Sequence, residues 1–290
     1  MTDNTKNKTS EARQTGPELW LIILIAAIVG AIFYEHLHWL VDRWWASEYY
    51  GHGFLIPIIS GYLVYRRRDE IAKLPRENFG GGIGLLVLSL LLHYAATYMD
   101  VHFASGFAFI GVLMGLTWLL WGWRVLKAVL FPLLFLCFMV PLGKLLVNQV
   151  AQPMQVLSAR GAGLAAQILG MPVTIEGTRL IIPNYVFEVA IACSGLKSAI
   201  AMTALGALLA YLVRGPLWKK LLLFATSLPV AMCANGVRIW LTLILGRSLG
   251  SKVAEGFFHE FSGILVFLLG FLGLFGVTKI LRCSTLRRDI

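Results

Sequence analysis

Cys193, Arg238 and His259 are, by residue type, the parts of an acyl-transfer centre. A thiol activated by a neighbouring base or positive charge attacks a carbonyl as its thiolate. An imidazole carries protons near neutral pH. A guanidinium can hold the oxyanion that develops, a role that backbone amides fill elsewhere. Cys193 stands in E-V-A-I-A-C-S-G-L-K-S, residues 188–198, where a polar, turn-forming stretch with Gly177, Pro183 and Asn184 meets a long apolar run. Ser194 and Gly195 are expected to leave its thiol uncrowded. Each residue also has a plainer reading. A cysteine beside a membrane helix packs as a small apolar group, Arg238 fits a cation reaching for headgroups, and His259 in F-F-H-E-F fits the interface.

Other residues are candidates to support these three. Asn235 precedes Arg238 on the same apolar run. Lys197, four residues after Cys193, is expected one helical turn along the same face, where it adds positive field or meets a phospholipid or carboxylate. Glu188 is placed to orient Arg238 or His259, or is a solvated loop carboxylate. Cys137 and Cys283 read as structural, whereas Cys233, five residues before Arg238, is the rival nucleophile. It lies deeper and lacks the following Ser-Gly.

The composition sets the class. The 290 residues are 58% hydrophobic with mean hydropathy +0.75, too apolar for a soluble domain. Several runs approach the roughly 20 residues needed to cross a bilayer as a helix, and the alternation of a membrane barrel is missing. The expected fold is an all-α polytopic membrane protein. The formal charge of +10 is explained by the positive-inside bias rather than by nucleic acid. The four cysteines have no C-x-x-C or metal-like spacing, so no zinc site, disulfide framework or cofactor is expected.

About eight spans are expected: 19–34, 54–65 (extended backwards by 49–53), 83–98, 103–121, 125–142, 193–213, 221–245 and 261–281. Residues 1–18 read as a disordered tail and 282–290 as a basic one. The first span is expected to be retained, since Tyr34-Glu35-His36 is no leader cleavage site. Residues 35–53 read as an interfacial loop rich in Trp and Tyr. The long segment 143–192 is expected to carry an amphipathic surface helix over 147–169 and a short β-hairpin over 171–189. With the amino terminus inside, the inner loops take Lys6, Lys8, Arg13, Arg66, Arg67, Arg68, Lys73, Arg76, Arg124, Lys127, Arg214, Lys219, Lys220, Arg282, Arg287 and Arg288. The outer ones hold only Arg43, Lys144, Arg160, Arg179, Arg247 and Lys252, which supports cytoplasmic termini. Cys193, Arg238 and His259 then meet at the outer face, from three separate elements.

These residues carry a resemblance to a known family. H-G-F-L-I-P-I-I-S-G-Y-L-V-Y-R-R-R from His52, L-G-M-P-V from Leu169, A-C-S-G-L-K-S, N-G-V-R-I from Asn235 and His259 before the last span together resemble the exosortase/archaeosortase family of integral-membrane cysteine transpeptidases. The resemblance implies Cys193 as nucleophile, Arg238 as transition-state stabiliser and His259 as general acid/base. It implies exported protein substrates whose tail has a short motif (often Pro-Glu-Pro), a spanning helix and a basic end. The product would pass to a lipid- or polysaccharide-linked surface acceptor at the periplasmic face of the inner membrane. Arg160 and Arg179 are candidates to hold the acidic residue of that motif. Two other classes compete: a transporter, for which many spans and an intramembrane Arg238 would suffice, and a non-catalytic exopolysaccharide-export scaffold. Internal repeats or paired broken helices, the usual marks of a transporter, are not evident in the sequence.

Overall fold

The computed structural model describes residues 18–75, 80–143, 147–183, 185–249 and 257–282. The amino-terminal tail before Glu18 and the basic tail after Arg282 lie outside the described residues.

Helix α1, Leu19–Ile32, is apolar all round and none of its described residues is buried, as suits a surface facing lipid. It turns through 72° into α2, Tyr34–Ala46. The interfacial loop expected over 35–53 is therefore mostly helix. His36, Leu40 and Trp44 recur every fourth residue and form the buried stripe that holds α2 down, while its charged residues stay outside. Trp44 Nε1 donates to Met139 O at 2.8 Å. A tight turn, Gly51–Phe54, leads into α3, Leu55–Arg66, and the short α4, Arg68–Ala72. Helices α5 (Gly81–Tyr98) and α6 (His102–Trp121) form a hairpin whose backbones touch. A β-carbon on Gly82 would lie 2.6 Å from Leu119 N.

Helix α7, Trp123–Phe135, contains Pro132 and tightens at Leu136–Met139. Proline has no N–H, so Ala128 O, four residues earlier, lacks its helical donor. The Arg67 guanidinium fills that vacancy through Nη1, and Ser60 Oγ donates to Pro132 O at 2.7 Å. Two polar groups thus fasten α3 to α7.

A single wide turn, Val147–Ala151, precedes α8, Gln152–Ile168, whose inner face is made of small residues, Ser158, Ala159, Ala162, Gly163 and Ala166. The expected hairpin is a three-stranded antiparallel meander: β1 (Thr174–Glu176), β2 (Arg179–Ile182) and β3 (Tyr185–Glu188). Leu180, Ile182 and Phe187 turn inward in the period-2 pattern of a half-buried sheet. They pack with Ala159, Ala162 and Ala166 of α8 and with Ile239 and Leu243 further along the chain.

The carboxy-terminal half is three packed helices: α9 (Leu196–Leu212), α10 (Leu217–Leu249) and α11 (Phe257–Ile280). Among the described residues four helices are long and apolar enough to cross a membrane, and five if the bent α1–α2 pair counts as one span. The expected count of about eight spans is not confirmed among the described residues. Helices α3, α7 and α9 have only 12, 13 and 17 residues, short of the roughly 20 that cross alone. Their apolar runs continue into turns at Gly51–Phe54, Leu136–Met139 and Ile191–Cys193, where hydropathy persists but the helix does not.

Candidate active site

Cys193 does not belong to the helix that follows it. It closes a single 3₁₀ turn, Ile191–Cys193, hung between β3 and α9. Gly195, at φ +86°, reverses the chain before α9 begins at Leu196. That left-handed conformation suits glycine and strains any residue with a β-carbon. The Cys193 side chain is buried in a cluster that includes Val189 and Phe187 of the sheet region, Ala162 of α8 and Ile239 of α10.

Arg238 reaches the thiol from α10: its Nη2 donates to Cys193 Sγ at 3.0 Å, across 45 positions of sequence. Three residues earlier on the same helix face, the wholly buried Asn235 donates through Nδ2 to Cys193 O at 3.1 Å and to Ser158 Oγ at 3.2 Å. Ser158 Oγ in turn donates to Ser194 O at 3.2 Å. One face of α10 therefore grips both ends of Cys193, with the sulfur on Arg238 and the carbonyl on Asn235. Helix α8 braces the clamp through a single hydroxyl. Ser158 was not singled out by its type or spacing to Cys193. Its signal in the sequence is a polar residue on the stripe Met154, Ser158, Ala162 and Ala166, where an apolar one would be expected.

The remaining predicted residues are placed as follows. Ser194 and Gly195 do not open space around the thiol: both are buried, and Gly195 is pressed against Asn235. Lys197 is exposed in the first turn of α9. Because Gly195 breaks the helix between them, Cys193 and Lys197 are not one turn apart on a common face. Glu188 faces Arg179 across the β2–β3 pair, with Arg179 Nε 3.5 Å from Glu188 Oε2, both well exposed. Its structural partner is Arg179 rather than Arg238. Arg160 is exposed on α8. Cys233 is exposed and lines an apolar groove of about 460 Å³ between α8 and α10, so it is Cys193 that Arg238 contacts. His259 lies in the first turn of α11; its side chain is outside the described residues.

Chain direction brings the three elements together. Helices α9 and α10 pack as neighbours, as do α10 and α11, joined by short connections. The start of α9, the far half of α10 and the start of α11 accordingly lie at one end of the bundle. Arg238 is about 16 Å before the end of α10 by helical rise, and Cys193 is buried in a cluster with residues of α8, the sheet and α10.

Compared with known protein families, residues 44–276 match the transmembrane exosortase family (Exosortase_EpsH). No curated protein and no solved structure matches the chain.

Proposed function

The chain belongs to the transmembrane exosortase family of multi-pass membrane proteins, and from that premise we propose that it is a cysteine peptidase/transpeptidase. Its substrates are exported proteins with a tripartite carboxy-terminal sorting signal, cut at the periplasmic face of the inner membrane and passed to a lipid- or polysaccharide-linked acceptor. The observation that carries this reading is the 3.0 Å contact from Arg238 Nη2 to Cys193 Sγ.

The Cys193 sulfur attacks the scissile carbonyl carbon, forming a C–S bond and moving the carbonyl electron pair onto oxygen. Arg238 has five N–H donors and places Nη2 on the sulfur, so the fork can serve sulfur and oxyanion together. Collapse of the intermediate breaks the C–N bond. The leaving amine takes a proton from His259, and the sorting tail departs. An acceptor amine or hydroxyl then gives its proton to His259 and attacks the thioester, which returns the thiolate. Asn235 holds the Cys193 carbonyl and Ser158 the Ser194 carbonyl, so that the sulfur stays on Arg238. Both steps balance with no metal or redox group.

The test is a tagged exported protein carrying the sorting tail, followed by gel mobility in cells. Cleavage is expected to disappear in Cys193→Ala and to persist in Cys233→Ala, with both enzymes present in the membrane. Cleavage that survives Cys193→Ala would overturn the assignment and favour a transporter or an export scaffold.

A further inference from the structure

A second cavity, of about 480 Å³, shares no lining residue with the α8–α10 groove. Its walls include Trp39, Arg43, Tyr49, Tyr50, Asp100 and His102, and it reaches Leu196, the first residue of α9. The size is that of a ligand site, and no step of the proposed reaction uses these residues.

Its chemistry is specific. The Arg43 guanidinium lies 5.8 Å from the centre of the Trp39 ring, and the same ring stacks on His102 at 4.8 Å. The cation is thus supported on an aromatic shelf, which reduces the conformational freedom it must give up on binding. Tyr50 is fixed by the Leu142 N–H, which donates to its hydroxyl at 3.1 Å. The other charged group in the wall, Asp100, accepts from His102 Nε2 at 3.1 Å, so one of its oxygens is engaged by the imidazole. A held arginine among rigid rings suits a carboxylate flanked by apolar, ring-bearing residues. Aromatic grooves of this kind receive extended proline-containing segments, which lose little entropy on docking.

Position selects a peptide. Leu196 is three residues after Cys193, and three residues of extended chain reach at most about 11 Å. The wall of the cavity at Leu196 therefore lies within about 11 Å of the Cys193 backbone, close enough for a segment seated there to continue toward the turn that carries the thiol. Arg160 and Arg179 are less suited: Arg179 is engaged by Glu188, and neither arginine lines this cavity.

We propose that the cavity is the recognition site for the acidic, proline-flanked segment of the protein substrate, with Arg43 as the specificity-determining cation. The assignment rests on the peptidase reading above.

The test uses the whole enzyme in membranes and tagged reporters whose tails differ in one residue: the acidic side chain, its amide, or lysine. The wild type is expected to prefer the acidic tail. Arg43→Gln is expected to slow cleavage of that tail about tenfold or more, the scale of a lost charge-assisted hydrogen bond, and to erase the preference over the amide tail. Arg43→Glu is expected to shift preference to the lysine tail, and Arg43→Lys to retain the acidic preference. If Arg43→Gln, at wild-type abundance, keeps the acid-over-amide preference, the proposal is overturned. It is equally overturned if cleavage is unchanged and only transfer to the acceptor is lost, because the cavity would then hold the acceptor. If no tail is cut in a Cys193-dependent manner even by the wild type, the peptidase reading itself falls, and the assignment with it.

Discussion

The carboxamide of Asn235 occupies the space that a side chain on Gly195 would need: a β-carbon there would lie 2.9 Å from both Cγ and Nδ2 of Asn235. The φ of +86° at Gly195 would itself cost any other residue about 1–2 kcal/mol. Gly195→Ala is therefore expected to lower the thermal unfolding temperature in detergent by several degrees and to slow cleavage. Combining it with Asn235→Ala relieves the steric part, so the double variant should lose less than the sum of the single losses. Simple additivity would show that the contact does not dictate the glycine.

Asn235 has its own expected effect. It is wholly buried and donates to Cys193 O and Ser158 Oγ. Asn235→Ala removes both of those buried hydrogen bonds, a loss of about 1–3 kcal/mol. Asn235→Asp should be no better, since a carboxylate has no hydrogen to donate to the carbonyl and must itself be desolvated. Ser158→Ala, which removes a single hydroxyl, is expected to lose only about 0.5–1.5 kcal/mol. Thermal unfolding of the three variants ranks them directly, and a Ser158→Ala loss larger than that of Asn235→Ala would reverse the hierarchy.

Arg238→Lys keeps the charge and discards the planar fork. If Arg238 holds both sulfur and oxyanion, the rate of tail cleavage should fall about 10²–10³-fold, mostly in kcat. The measurement is an initial rate in membranes at matched enzyme abundance. A fall of less than about threefold would mean that any nearby cation suffices.

The Arg67–Pro132 pairing supplies a purely structural check. Arg67 donates to Ala128 O, the acceptor that Pro132 leaves without its helical N–H, and to Glu70 at 2.8 and 2.9 Å. Arg67→Ala is expected to destabilise the protein by about 1–3 kcal/mol. In a Pro132→Ala background α7 can satisfy Ala128 O itself, so the same substitution should lose clearly less. Equal losses in both backgrounds would show that the arginine acts elsewhere.

Much of the architecture was legible because hydropathy and helical period are local properties. The runs over 83–98, 103–121 and 261–281 carry their own length and apolarity, and they are the helices α5, α6 and α11. The apolar residues at helical spacing over 147–169 likewise foretold α8, although its buried face is the stripe of small residues. The span count was not legible where an apolar run continues past the end of its helix. Gly195 stops α9 short of Cys193, and Pro132 precedes the tightening after α7. In α2 the buried stripe His36, Leu40 and Trp44 was present in the sequence but hidden among tryptophans and charges that suggested a loop.

By itself, the sequence determined that this is a helical membrane protein, that Cys193 lies where a turn meets an apolar run, and that Asn235 and Arg238 share one helix face. Each depends on residues close together in the chain. Only the tertiary structure decided that Arg238 contacts Cys193 rather than serving Cys233, that Glu188 pairs with Arg179, that Ser158 braces the site, and that Arg43 lies over Trp39 in a cavity that Leu196 also lines. The Cys193 contact spans 45 positions and the Ser158 contact 36. Such pairs are set by how α8, the sheet and α10 pack their small residues together, which no local pattern encodes.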